Sequence, residues 1–216
     1  MPHFDELPYP SRYNSLRLLG YDYTSIRKLY AITVVADERR PLFSDMLLAK
    51  SILASLLSLE TLAGLHLQAF TLMPEHIHLL GGARHSKFDL SNLIAGFKSF
   101  TTHLYWKRSR EILTSGEISL PSQSVNKSDS TGSRSLLPAL VSGYLTLRPE
   151  VVELKNWPTV QPEDFLQKRL WQTRFFDHVI RNDRDLRENL NYIAMNPVRA
   201  GYVTQPCFYP YTGFMY

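Results

Sequence analysis

The stretch LMPEHIHLLGG, residues 72–82, is the basis for predicting the fold. It contains a turn signal, two histidines and a pair of glycines. An apolar run, LHLQAFTLM at residues 65–73, leads into it, and Pro74 and Glu75 separate the two runs. Two strand-like runs joined by such a pair predict a β-hairpin. Residues two positions apart in a strand point to the same side, so His76 and His78 are expected to share one face.

The elements around this hairpin predict an α+β fold. A buried strand is expected at LYAITVV, residues 29–35, and a helix at residues 44–59, where apolar residues recur at helical spacing. A second helix is expected at residues 89–110, where apolar residues again recur at helical spacing. A strand is expected within residues 170–182, followed by a helix that Pro197 ends. This order is typical of helices packed on an antiparallel sheet.

The domain organisation follows from the length of 216 residues and from local composition. Between the second helix and LWQ the chain becomes rich in Ser, Gly, Asn and Thr without periodicity, which predicts a flexible insertion at about residues 113–164. Residues 1–28 are interpreted as an N-terminal extension, and residues 29–212 as one interrupted domain. The final PCFYPYTGFMY is expected to pack on this domain rather than to form an element of its own.

Composition and charge narrow the class of protein. With 24 Lys and Arg against 20 Asp and Glu, the net charge of +4 favours polyanionic partners such as nucleic acid without requiring them. No apolar run reaches the roughly 18 residues of a membrane span, and the amino terminus lacks the pattern of an export signal, so a cytoplasmic location is expected. Cys207 is the single cysteine, so a metal would need histidine, carboxylate or amide ligands.

The histidine pair is a candidate metal site. Two imidazoles on one strand face can reach a single ion about 2.1 Å from each nitrogen. Two structural histidines remain the alternative at this point, because a short H-x-H pattern is a weak signal.

The last helix supplies a candidate nucleophile. Its apolar stripe excludes Tyr192, which instead shares a polar row with Glu188 and Asn196 at four-residue spacing. A half-exposed packing tyrosine is the alternative. Taken together with the histidines, the tyrosine suggests a mechanism in which a metal polarises a phosphodiester and the phenol attacks phosphorus.

Three motifs together carry a family resemblance: MPEHIHLL, LWQTRFFDHVIRN and LNYIAMNPVRAGYV, in this order. The chain resembles the REP-associated tyrosine transposases, a branch of the single-tyrosine HUH transposases within the IS200-like superfamily. The resemblance covers roughly residues 29–110 and 168–212. It implies the ferredoxin/RRM-like sheet of the HUH endonuclease fold, with packed helices.

The resemblance also implies a reaction and its residues. His76 and His78 would be metal ligands, Asn196 the third ligand, Tyr192 the nucleophile, and Mg or Mn the ion. The implied activity is cleavage of single-stranded DNA near a hairpin through a 5′-phosphotyrosine intermediate, which rejoining reverses. Single-stranded or hairpin DNA would be the partner of a monomer or homodimer.

Two features depart from the family pattern. The Ser-rich insertion is longer than expected. Asn196 precedes Pro197, and a residue before proline is biased away from helical angles, which predicts an imperfect relation between Tyr192 and Asn196.

Basic residues that bracket the proposed site are candidates for DNA contact. They are Lys98, Lys107, Arg108, Arg174, Arg181 and Arg199. For those in the second helix, a solvated basic end is the alternative. Tyr105 is interpreted as a packing or stacking residue, and the other histidines that lack a second ligand, His66, His85, His103 and His178, as structural or surface residues.

Two further functions compete with the transposase hypothesis. One is a domesticated hairpin-binding protein that has lost catalysis and needs no metal. The other is a phosphodiesterase that uses water in place of Tyr192.

Overall fold

The computed structural model describes residue 25 and residues 28–62, 64–84, 89–118 and 154–215. These ranges contain five strands: β1 (Tyr30–Val35), β2 (Leu65–Met73), β3 (His76–Ala83), β4 (Phe176–Val179) and β5 (Thr212–Phe214). They also contain three α-helices: α1 (Met46–Leu62), α2 (Leu90–Ser115) and α3 (Asp183–Arg199). The strands form one antiparallel sheet in the order β4-β1-β3-β2-β5. The predicted α+β fold is confirmed.

The β2–β3 hairpin occupies the middle of the sheet, and Pro74 and Glu75 form its turn, as the sequence predicts. Every residue of β3 is buried. His78 lies opposite Thr33 in β1 and opposite Thr71 in β2, and His76 lies two positions before it on β3. The two histidines therefore lie on the same face of the central strand.

The two faces of the sheet are covered unequally. Side chains such as Ile77 and Leu79 in β3 join α1 and α2 in the main hydrophobic core. On the histidine face, Leu80 joins a smaller cluster with Ala69 and with Ile193 of α3. Since β-strand side chains alternate between faces, the core and the candidate site are separated by the thickness of one sheet.

The last helix and the strand before it differ from the prediction. The strand expected within residues 170–182 is limited to β4, and Trp171 makes an isolated bridge to Ala36. Pro197 does not end α3, which continues to Arg199. A proline in the last turn removes one N–H donor, while the N–H of Ala200 still bonds to the carbonyl of Asn196 at 3.0 Å. The helical path is therefore kept.

Residues 113–118 and 154–164, at the two ends of the predicted insertion, are among the described residues. Helix α2 continues to Ser115, and Val160 is 1% exposed in the main core. Trp157 packs against Tyr202 with ring centroids 5.2 Å apart. These apolar residues are irregularly spaced, so the sequence shows no period for them. Residues 119–153, like most of the predicted N-terminal extension, lie outside the described residues.

The carboxyl-terminal segment is more than a packed tail. It contains β5, which pairs with β2 and forms one edge of the sheet. Tyr209 also donates its hydroxyl to the carbonyl of Leu72 at 2.7 Å. In the part of the chain that the structure describes, no helix combines the length and hydropathy needed to cross a membrane.

Gly81 tests the central pairing. A Cβ at Gly81 would lie 2.6 Å from the carbonyl oxygen of His66 in β2, so Gly81→Ala should separate β2 from β3 and destabilise the fold by about 1–3 kcal/mol. Gly96 in α2 is the control, because a Cβ there meets no atom within 4 Å and alanine favours a helix by about 0.5–1 kcal/mol. Urea denaturation should give opposite signs, and equal shifts for both variants would contradict the close approach.

Candidate functional site

The two histidine side chains converge on one point. Their Nε2 atoms are 2.9 Å apart, and their rings meet edge to face with centroids 4.5 Å apart. His76 is 5% exposed and His78 is 8% exposed. The strand geometry expected from the H-x-H spacing is therefore present.

The outer nitrogen of each imidazole has an oxygen partner. Nδ1 of His76 lies 2.9 Å from Oε1 of Glu75, and Nδ1 of His78 lies 2.7 Å from Oγ1 of Thr33. An ionised Glu75 can only accept, so Nδ1 of His76 donates to it. Sequence reasoning missed both partners, although Thr33 could have been found by aligning the alternation of β1 with that of β3.

The electrostatics of the site favour a neutral imidazole at His78. Burial and then the charge of His76 hold the pKa of His78 well below its usual range, so His78 is neutral at pH 7. Burial would raise the pKa of Glu75, but its hydrogen bond to His76 and the charges of His76 and Arg39 lower that pKa overall. Glu75 is therefore ionised at neutral pH.

These residues fit a divalent ion. Two ligands that bind one ion at about 2.1 Å and nearly at right angles lie about 3 Å apart, close to the observed separation of 2.9 Å. Oxygen partners on the outer nitrogens are usual for metal-bound histidines. Among the described residues there is no group of three His, Cys, Asp or Glu side chains suited to a metal. A further ligand from these residues would therefore be an amide, a hydroxyl or a backbone oxygen.

Tyr192 lies beside the histidine pair. Its ring meets that of His78 edge to face, with centroids 5.1 Å apart. Asn196 lies four residues after Tyr192 in α3, and because the helix continues through Pro197, the four-residue relation is kept. The guanidinium carbon of Arg199 lies 5.3 Å from the ring centroid.

The surroundings of Tyr192 act on its pKa in opposite directions. Burial raises the pKa, and the hydrogen bond with Asn196 and the charge of Arg199 lower it, with a net increase above the usual value. The phenol is therefore protonated at neutral pH. The two lowering contributions are those that stabilise a phenolate, which is the form that attacks.

A polar network fixes the start of α3. The side chain of Asn182 caps the helix by accepting from the N–H of Asp185 at 3.0 Å. Asp185 in turn pairs with Nε2 of His178 in β4 at 2.9 Å and accepts from Nδ2 of Asn189. His178 thus has a structural partner, and the network ties the helix of Tyr192 to the edge of the sheet.

The structure separates the six residues predicted to contact DNA into two groups. Arg108 is 12% exposed and pairs with the buried carboxylate of Asp45 through Nε at 3.0 Å and Nη2 at 2.8 Å. Lys98 donates to the carbonyls of Gln172 at 2.6 Å and Thr173 at 2.9 Å. These contacts give Arg108 and Lys98 structural roles. Exposed side chains are found at Lys107, Arg174, Arg181 and Arg199.

Tyr105 is fully buried, as predicted for a packing residue. Its hydroxyl donates to the carbonyl of Gln167 at 2.9 Å. It therefore has no access to the histidine pair.

Residues 25–119 match the family model described as Transposase IS200 like. This part of the chain is therefore similar to IS200-like transposases. The matched residues include β1, both helices of the main core and the histidine pair. Helix α3, with Tyr192, lies beyond the match and reaches the pair through the fold.

Individual relatives agree with this assignment. The chain is 45% identical over 47 residues to the REP-associated tyrosine transposase of Escherichia coli K12, which is 22% of this chain and 28% of that protein. A relative from Haemophilus influenzae, named for the same class of transposase, is 42% identical over 52 residues, 24% of this chain and 30% of the relative. The aligned parts thus span less than a third of either relative.

A solved structure supports the fold of the chain. It is described as a REP-associated tyrosine transposase bound to a REP hairpin, and it aligns with a TM-score of 0.50 at 20% identity. The alignment covers 86% of this chain and 75% of that one. The predicted resemblance and the predicted fold class are confirmed.

The charge of Arg199 can be tested through Tyr192. Arg199→Ala removes a cation that lowers the pKa of Tyr192, so that pKa should rise further, whereas Arg199→Lys should keep most of the effect. NMR titration of protein labelled with ¹³C at the tyrosine hydroxyl carbon measures this value. An unchanged pKa in Arg199→Ala would show that water screens the charge completely.

Proposed function

We propose that this chain cleaves and rejoins single-stranded DNA near a hairpin, with Tyr192 as the nucleophile. The observation that carries the proposal is the position of the Tyr192 ring, 5.1 Å from that of His78, beside two imidazole nitrogens that converge at 2.9 Å. A nucleophile beside a candidate cation site is what phosphoryl transfer requires. The match of residues 25–119 to the IS200-like transposase model supports DNA strand transfer as the reaction.

The proposed cleavage exchanges one phosphodiester for another. The Tyr192 oxygen forms a bond to phosphorus, the bond from phosphorus to the 3′ oxygen breaks, and the 5′ end of the DNA stays on the tyrosine. The phenol releases its proton to solvent and the departing oxygen takes one up, which leaves a 3′ hydroxyl. Because one phosphoester replaces another, attack by a 3′ hydroxyl on the phosphotyrosine rejoins the strand without an external energy source.

The chain's own residues prepare this step. Asn196 and Arg199 favour the phenolate of Tyr192 against the effect of burial. Glu75 and Thr33 hold the two imidazoles in place. In the proposal, His76, His78 and the Asn196 oxygen hold Mg or Mn, which would supply positive charge for the phosphate.

The proposed partner is DNA that contains a hairpin. The similar solved structure is described with a REP hairpin bound, and the net charge of +4 and the exposed basic residues suit a polyanion. As in the sequence-based expectation, we propose a monomer or homodimer that acts in the cytoplasm.

Tyr192→Phe tests the nucleophile. The substitution removes the attacking oxygen and keeps the ring, so it should abolish a denaturation-resistant adduct with labelled single-stranded DNA. It should change DNA affinity less than twofold, because only one hydroxyl is lost. Gel electrophoresis after incubation with Mn measures the adduct, and Tyr202→Phe, a tyrosine outside the histidine site, is the matched control.

Three outcomes separate the competing functions. An adduct in wild type that is absent in Tyr192→Phe supports the proposal. DNA cleavage that survives Tyr192→Phe would support a phosphodiesterase that uses water. Hairpin binding without any adduct or cleavage, unaffected by a chelator, would support a non-catalytic DNA-binding protein.

The metal site can be tested without DNA. Loss of one ligand in His76→Ala should abolish measurable Mn binding, and Glu75→Gln should weaken it about 10–100-fold, because partners of metal-bound histidines have effects of that size. Electron paramagnetic resonance of free Mn in titrations gives the affinity. His103→Ala, which removes an exposed histidine of α2, is the control. Equal Mn affinity in all four proteins would contradict the site.

A further inference from the structure

A groove lies on α2, outside the histidine site. It consists of two adjoining cavities of about 420 and 340 Å³ between α2 and residues 165–173, and both are lined by Trp106 and Lys168. The residues of α2 that line it follow the exposed side of the helix. The proposed chemistry at the histidine pair makes no use of this groove.

Trp106 forms a fixed aromatic surface in the groove. Its side chain is 44% exposed, although its indole N–H donates to the carbonyl of Lys168 at 2.8 Å. The ring of His103 packs against it edge to face with centroids 5.1 Å apart. A large ring that is held in position and still half exposed is suited to stacking on a planar ligand.

Cations surround this aromatic surface. Three exposed basic residues line the groove, Arg110, Lys168 and Arg169, and exposed Lys107 follows Trp106 in α2. None of the four forms an ion pair with another described residue. The nearby carboxylates of Asp45 and Glu111 are already paired with Arg108. The groove therefore combines a stacking surface with uncompensated positive charge, which suits the bases and phosphates of a nucleic acid.

Residues 168–173 connect the groove to the histidine site. Residues 168–173 line the groove and continue through exposed Arg174 into β4, the edge strand next to β1. Phe176 in β4 is 47% exposed and lies opposite Thr33, whose hydroxyl bonds to His78. Because paired residues of neighbouring strands share a face, Phe176 is an exposed aromatic residue on the histidine face.

We propose that the groove, Arg174 and Phe176 form one track for single-stranded DNA that ends at the histidine pair. Trp106 and Phe176 stack on bases, and the basic residues contact phosphates. A duplex is a poor occupant, since its bases stack on each other and hide the faces that an aromatic side chain needs. The direction of the strand towards the histidines rests on the function proposed above, whereas binding in the groove does not.

Trp106 also provides the probe. The chain has three tryptophans, and Trp157 and Trp171 pack in or against the main core, so a stacked base should quench chiefly the fluorescence of Trp106. The full chain is titrated in EDTA with oligo-dT of about 12 nucleotides, within the usual range of site sizes, and with a duplex of the same length. We expect quenching and binding with oligo-dT and at least tenfold weaker binding of the duplex.

Substitutions then separate stacking from other contacts. Trp106→Ala and Phe176→Ala should each weaken oligo-dT binding about tenfold, and Trp106→Phe should keep most of the affinity without the quenching. Leu113→Ala is the matched control on α2, because Leu113 is 47% exposed and lies outside the lining of the groove. Circular dichroism and thermal melting of each variant identify any loss of folding, and Trp106→Phe keeps the test valid if Trp106→Ala is unstable.

The phosphate contacts have their own measurement. Lys168→Ala should reduce the slope of log affinity against log salt concentration by about 0.7, the value for one phosphate contact on a single strand. Lys50→Ala, an exposed lysine on α1, should leave the slope unchanged. Equal slopes for the two variants would remove Lys168 from the track.

The outcomes distinguish failure of the DNA track from failure of the proposed cleavage by Tyr192. Wild-type affinity in folded Trp106→Ala, or no quenching by oligo-dT, would overturn the track even if the Tyr192 adduct forms. Quenching that depends on Trp106, without any adduct under all conditions tested, would support the groove as a binding surface and refute the proposed cleavage. Loss of affinity in Trp106→Ala alone, with Phe176→Ala unaffected, would overturn the connection to the histidine pair.

Discussion

The pairing of β3 with both of its neighbours is the constraint on which the site depends. It sets His78 level with Thr33 and His76 beside it, with both imidazoles turned away from the main core. A shift of one residue in this register would turn the histidines into the layer of α1 and α2 and expose Ile77 and Leu79 in their place. The close approach of β2 at Gly81 helps to hold the register, since a side chain there would collide with the neighbouring backbone.

The second half of the site reaches the sheet by a different route. Tyr192 depends on the placement of α3, which rests on a small apolar cluster and on the polar network of Asp185 at its start. Strand pairing thus orients the histidines, and helix packing orients the tyrosine. Their meeting at His78 is a tertiary contact between segments more than a hundred residues apart in the sequence.

The features that the sequence predicted correctly are those that depend on local periodicity. The hairpin, the shared face of the histidines and the polar row of Tyr192 and Asn196 follow from periods of two and about 3.6 residues. The pairing of Arg108 with Asp45 and the fifth strand depend on contacts between distant segments, which periodicity does not report. Pro197 was misread because its position in the last turn, where little helix remains to be broken, depends on where the helix actually ends.

Because the two faces of the sheet are covered unequally, substitutions on them have different effects. Substitutions in the layer of α1 and α2 act chiefly on the free energy of unfolding, because the main core lies there. The histidine face holds only a small separate cluster, so fewer of its residues contribute to that free energy. Residues of the histidine face could therefore diverge while the fold is kept.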